Sequence, residues 1–207
     1  MTQERCNVAV LASGTGTNFQ AIVEACRPDD RPARVVCLIT DNAEAGALEI
    51  ARRFDVASHV VDPCTNKARL PEAAEERIVS LCEEHSADLV ALAGFMRILA
   101  GPLLSRFEGR IMNVHPSLLP SFKGLHGARQ ALEYGVKVAG CTVHFVDRSV
   151  DGGAIILQAP VGVDDDDDEE SLLKKIHEME HRIYVRAIEL FAEGRLRVND
   201  RRVVVTD

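Results

Sequence analysis

Residues 7–26, NVAVLASGTGTNFQAIVEAC, decide the fold. The first six form an apolar run without polar alternation. Such a run suits a strand buried on both faces of a parallel sheet. Ser13-Gly14-Thr15-Gly16-Thr17-Asn18 follows as a loop of small residues. Phe19, Ile22, Val23 and Cys26 then recur at helical spacing, which predicts a helix over 19–26 with one apolar face. Strand, glycine-rich loop and helix, in that order, aim backbone N–H groups at a phosphate.

Three readings of this loop compete. A dinucleotide-binding fingerprint needs a third glycine where this chain has Phe19, although Asp41, after the second strand, stands where a ribose-binding acid would. A site for a single phosphate fits the loop better. A plain tight turn is the third reading.

Outward from this unit the pattern repeats. Strands are expected at 34–40, 58–61 and 88–93, and helices at 45–54 and 71–85, with Pro71 in the first turn. Beyond 111, a helix is expected at 128–134, strands at 139–146 and 155–163, a long helix at 171–193 and a hairpin of 195–198 with 202–205. This alternation predicts an α/β fold with a mostly parallel, twisted, Rossmann-like sheet flanked by helices. A chain of 207 residues is expected to be one domain, 1–207. Ligands of such folds sit at the carboxyl ends of strands.

Bulk properties narrow the function. A net charge of −8 argues against non-specific nucleic-acid binding. No apolar run is long enough to span a bilayer, and the N-terminal residues lack a signal-peptide core, so a cytoplasmic protein without membrane partners is expected. The six cysteines form no Cys-x-x-Cys pair and read as reduced and structural, without a metal cluster.

Ile111-Met112-Asn113-Val114-His115-Pro116-Ser117-Leu118-Leu119-Pro120 starts as a strand and ends where prolines forbid its continuation. Asn113 and His115, two apart, share a strand face. An amide can donate to a developing oxyanion and an imidazole can move a proton near neutral pH, but the pair can equally satisfy a turn. In Gly94-Phe95-Met96-Arg97-Ile98-Leu99, apolar residues lie beyond a strand end, where they are either covered or line a pocket. Asp151 precedes Gly152 and Gly153, a common turn arrangement. His144 lies in an apolar strand and reads as a core or supporting residue. Residues 164–170 are all acidic and read as a solvated lead-in to the long helix rather than a calcium loop. His177-Glu178-Met179-Glu180-His181 matches a zinc-binding helical pattern, yet lacks an evident third ligand.

Taken together, Asn-x-His-Pro-Ser-Leu-Leu-Pro, the Asp-Gly-Gly at 151–153, the loop at 13–18 and Ala93 to Leu99 resemble the folate-dependent formyltransferases, over about residues 6–197. The resemblance implies transfer of a formyl group from 10-formyltetrahydrofolate, as co-substrate and without metal, to the amine of phosphoribosylglycinamide, a step in purine synthesis. It implies catalytic roles for Asn113, His115 and Asp151, and contact of Gly16, Thr17, Asn18 and Glu180 with the ribonucleotide. It places the folate against Met96, Arg97, Ile98, Leu99 and Asn113, and puts His144 beside the catalytic cluster. Arg97 can serve the folate or pair with an acid. A folate-binding arginine is also implied before the third helix, where Asn66-Lys67-Ala68-Arg69-Leu70-Pro71 makes Arg69 the candidate in an uncertain register. A homodimer is compatible with this reading. The alternatives are a formyltetrahydrofolate hydrolase, a methionyl-tRNA formyltransferase, a non-catalytic folate or nucleotide sensor, and a nicotinamide oxidoreductase. The first two are expected to need an additional domain for which the chain has no room.

Overall fold

The computed structural model describes residues 4–65, 68–99 and 101–207. It resolves into two compact units, Met1–Met112 and Asn113–Asp207.

In the first unit β1 (Cys6–Leu11), β2 (Ala33–Thr40), β3 (Ala57–Val60) and β4 (Leu89–Leu92) pair in parallel in the order β3-β2-β1-β4. Val8 to Leu11 and Leu89 to Ala91 have no exposure, which accounts for their lack of polar alternation. Helices α1 (Thr17–Cys26), α2 (Ala47–Arg53), α3 (Glu72–Glu84) and α4 (Pro102–Arg106) connect the strands. α1 buries Phe19, Ile22, Val23 and Cys26, the face that the spacing predicts.

Some features differ from the sequence reading for physical reasons. α1 opens two residues early because Gly16, left-handed at φ 83°, launches it. Pro71 sits at the N-cap of α3 with an extended ψ of 147°, outside the first turn. α4 is unforeseen, since five residues carry no readable period. Its start is held instead by Glu75, whose carboxylate accepts from the N–H groups of Gly101 (3.0 Å) and Leu103 (3.2 Å).

β5 (Ile111–His115) carries the boundary between the units. The second unit contains α5 (Gly127–Tyr134), β6 (Val138–Phe145), β7 (Ile155–Gly162), α6 (Glu169–Ala192), β8 (Leu196–Asn199) and β9 (Arg202–Val205). β6 and β7 are antiparallel, a local departure from parallel pairing, because the link between them is too short for a crossover helix. β8 and β9 form the expected hairpin, joined to β7 at Ile155–Arg202. α6 packs on β6, β7 and α5 through Leu172 and Ile176, which meet Ala131, Cys141 and Ala159 in a buried cluster.

α6 starts at Glu169 because Asp168 caps it. The Asp168 carboxylate accepts from the Ser171 N–H at 2.8 Å, and Ser171 Oγ accepts from the Asp168 N–H at 3.0 Å. In the acidic lead-in, Lys175 Nζ lies 2.6 Å from both Asp164 and Asp167. That ammonium, with the Asp164 N–H and the Ser171 hydroxyl, holds the Asp167 carboxyl down at about 2.

All six cysteines are free thiols. Burial pushes those of Cys6, Cys37 and Cys141 up to about 12, so they act as small hydrophobes. No described helix is long and apolar enough to cross a membrane.

Candidate active site

In the first unit, the loop after β1 ends at Gly16. A Cβ there would lie 2.8 Å from Ala47 Cα, and the φ is positive, so only glycine fits. The loop passes directly into α1, whose N-cap has no side-chain hydrogen bond. The first-turn N–H groups of a helix have no intrahelical acceptor and carry the positive end of its dipole. Thr17 is exposed there and Asn18 is buried at 9%.

Asp41 does not have the surroundings of a ribose-binding acid. Its Oδ1 accepts from Ser13 Oγ at 2.6 Å and its Oδ2 accepts from Arg97 Nε at 2.6 Å. Its side chain is 5% exposed. Phe19, at the place of the fingerprint's third glycine, is fully buried. The nicotinamide reading loses its one foothold, Asp41.

The segment after β4 divides by exposure. Phe95 and Leu99 are buried, whereas Met96 and Ile98 are 63% and 42% exposed. Two apolar side chains held open beside buried neighbours make a surface for a flat apolar ligand. The Ile98 N–H donates to Ala68 O at 2.9 Å, and the Leu70 N–H donates to Ile98 O at 3.1 Å. This short bridge pairs Arg69 with Ile98 and leaves the Arg69 side chain exposed. Asn66 and Lys67 lie outside the described residues. Of the two roles open to Arg97, the acid partner is present: its guanidinium engages Asp41 and also donates to Thr65 O at 3.2 Å.

In the second unit, β5 delivers Asn113 and His115, and the Pro116 turn ends the strand. His115 is 5% exposed. Its Nε2 donates to Phe122 O at 2.9 Å, because a carbonyl can only accept. Its Nδ1 stands 3.5 Å from Asp151 Oδ2. Both ring nitrogens thus face oxygen acceptors, and a protonated ring satisfies both.

Asp151 adopts a left-handed backbone at φ 48°, a conformation that Asp tolerates better than most residues. The Gly124 N–H donates to its Oδ2 at 2.8 Å. The following glycines stand in close quarters, Gly153 against backbone and Gly152 against a side chain. A Cβ on Gly153 would lie 1.8 Å from Phe145 O, and one on Gly152 would lie 2.1 Å from Ser149 Oγ.

His144, buried in β6, donates from Nδ1 to Phe145 O at 2.8 Å. Its Nε2 is left as an acceptor, 3.4 Å from Asn113 Nδ2 and 3.8 Å from Asp151 Oδ1. Burial lowers the His144 pKa, more than the neighbouring Asp151 raises it. A neutral His144 fixes which end of the Asn113 amide carries the N–H groups.

Sequence reasoning missed the residues that hold this cluster. The anchors from Phe122 and Gly124 are backbone groups, which leave only the left-handed φ values of 53° and 80° as a trace. Thr142, fully buried, donates to Ser117 O at 2.7 Å and accepts from the Leu119 N–H at 3.0 Å, fastening the segment after β5. Glu180 is 3% exposed on α6, and its charge acts on Cys141 of β6. His177 and His181 lie one turn apart on α6, but no described group of three or more His, Cys, Asp or Glu could hold a metal ion.

Residues 6–188 match the formyl transferase family model, so this chain belongs to the formyl transferases. Within that family it is similar to the phosphoribosylglycinamide formyltransferase of Escherichia coli K12, at 41% identity covering 94% of this chain and 91% of the relative. It is 42% identical to the chicken trifunctional purine biosynthetic protein adenosine-3 over 95% of this chain, but spans only 19% of that protein. The solved glycinamide ribonucleotide transformylase 1 of Symbiobacterium toebii is 48% identical, with a TM-score of 0.93 and full coverage of both chains.

Proposed function

We propose that this chain is a cytoplasmic enzyme that transfers the formyl group of 10-formyltetrahydrofolate to the amine of phosphoribosylglycinamide, acting as one formyltransferase domain. The activities named for its E. coli and S. toebii relatives support this reading. The observation that carries it is the placement of His115 between Asp151 and the Phe122 carbonyl, with Asn113 aligned by His144.

In the proposed reaction the neutral amine attacks the formyl carbon and a tetrahedral oxyanion forms. One Asn113 N–H is taken by His144 and the other serves the oxyanion. His115, whose ring nitrogens face Phe122 O and Asp151, stabilises the same oxygen through the positive charge of its protonated form. The bond from the formyl carbon to the folate nitrogen breaks, the new amide bond remains, and the proton lost by the attacking amine reaches the departing nitrogen. Asp151, facing the Nδ1 side of His115, relays that proton through water.

The loop at Gly16, Thr17 and Asn18 takes the phosphate at the start of α1, whose open N-terminus suits an anion. Exposed Met96 and Ile98, with the backbone of Arg97 and Leu99, hold the folate ring, and Arg69 beside Ile98 meets its carboxylates. Glu180, buried on α6, is assigned to the amine end of the ribonucleotide, as the family resemblance implies. The test is Asn113→Ala. Loss of an oxyanion donor lowers kcat by about 10²–10³ with little change in the Kd of the ribonucleotide. Unchanged turnover would remove Asn113 from the mechanism.

A further inference from the structure

Between β2 and β4 the first unit contains a buried polar connection that neither substrate role explains. Asp41 directly follows β2. One carboxylate oxygen accepts from Ser13 Oγ and the other from Arg97 Nε, both at 2.6 Å. Ser13 Oγ also accepts from the Met96 N–H at 3.0 Å, and the Ser13 N–H donates to Gly94 O at 3.1 Å. Asn42 Nδ2 donates to Ser13 O at 3.1 Å. Ser13 begins the loop that leads to Gly16, Thr17 and Asn18. Met96 and Arg97 lie in the segment that holds Met96 and Ile98 open. A charged carboxylate with 5% exposure therefore joins these two ligand loops, with a charge-assisted hydrogen bond to each.

We infer that Asp41 is a positioning residue that couples ribonucleotide binding at the 13–18 loop to folate binding at the 94–99 segment. The inference rests on the assignment of those two loops in the proposed function. The physical basis is the shared cost of ordering. Whichever ligand binds first fixes its own loop and, through Ser13, Asp41 and Arg97, the other loop as well. The second ligand then finds its loop already ordered and binds more tightly. Linkage requires the effect to be equal in both directions.

The experiment is calorimetric titration of the full chain with tetrahydrofolate, with and without saturating phosphoribosylglycinamide, and the reverse pair. In the wild type, each ligand tightens the other by fivefold or more. Asp41→Asn keeps the shape but cannot accept from both Ser13 and Arg97. Ser13→Ala cuts the Ser13 arm and leaves the Asp41–Arg97 pair intact. In both variants the coupling ratio falls below about twofold. A residue that merely supports the fold would weaken each separate affinity and leave that ratio intact. Coupling retained in both variants, or absent from the wild type while both ligands bind, overturns the inference and leaves the proposed function standing. Failure of either ligand to bind the wild type overturns the loop assignments themselves. Should Asp41→Asn fail to fold, the Ser13→Ala ratio decides alone.

Discussion

His115 Nδ1 and Asp151 Oδ2 stand 3.5 Å apart, while the opposite nitrogen of the ring donates to Phe122 O at 2.9 Å. The imidazole is clamped between two acceptors, and one of them is charged. Asp151→Asn keeps the size of the side chain and removes the charge. Its expected effect is a fall in kcat of about 10²–10⁴, the usual contribution of positioned proton transfer, with thermal stability close to wild type. Steady-state rates and a melting curve check this together. A variant that melts normally and turns over at the wild-type rate would detach Asp151 from the chemistry.

Burial lowers the pKa of His144 from its ordinary 6.5. A histidine kept neutral in the fold takes up a proton more readily when unfolded. Below about pH 6.5 the unfolded chain therefore binds more protons, and stability falls as pH falls. Above that pH the group contributes no slope. His59 and His177 shift in the same direction, chiefly by burial. The expected result is a melting temperature level near pH 7–8 that declines between about pH 6.5 and 5. In His144→Gln this decline becomes shallower. An unaltered slope in the variant would assign the acid sensitivity to other groups.

Gly153→Ala meets backbone rather than a movable side chain, since the new Cβ would sit 1.8 Å from Phe145 O. The loop that carries Asp151 must shift to relieve the clash. A loss of about 1–3 kcal/mol, the usual cost of overpacking, is expected together with reduced kcat. Denaturant titration and turnover measure the two effects.

Asp168→Ala removes the side-chain cap of α6 and one half of its reciprocal pair with Ser171. Stability is expected to drop, read as a lower denaturation midpoint, with catalysis unaffected. Chemical denaturation checks the first expectation and a saturating assay the second.

The elements that position the site were legible because burial leaves a pattern. β1 and β4 read as unbroken apolar runs, and α1 showed its buried face at residues 19, 22, 23 and 26. That Asn113 and His115 share a face at a strand end was legible from their spacing and the prolines that follow, while their catalytic role came only from the family resemblance. The supports were not. The carbonyl of Phe122 and the N–H of Gly124 belong to the backbone and have no residue code. Asp41 could be read as a ribose ligand because it directly follows the second strand; only its ties to Ser13 and Arg97 show otherwise. α4 was illegible because Glu75, in another helix, supplies its capping acceptor.

The most direct test of the central claim is an absorbance assay of folate product, with 10-formyltetrahydrofolate present and phosphoribosylglycinamide added or withheld. The account predicts turnover that depends on the ribonucleotide and is lost in Asn113→Ala. Equal turnover without the ribonucleotide would make water the acceptor and the chain a hydrolase, contradicting the proposed formyl transfer.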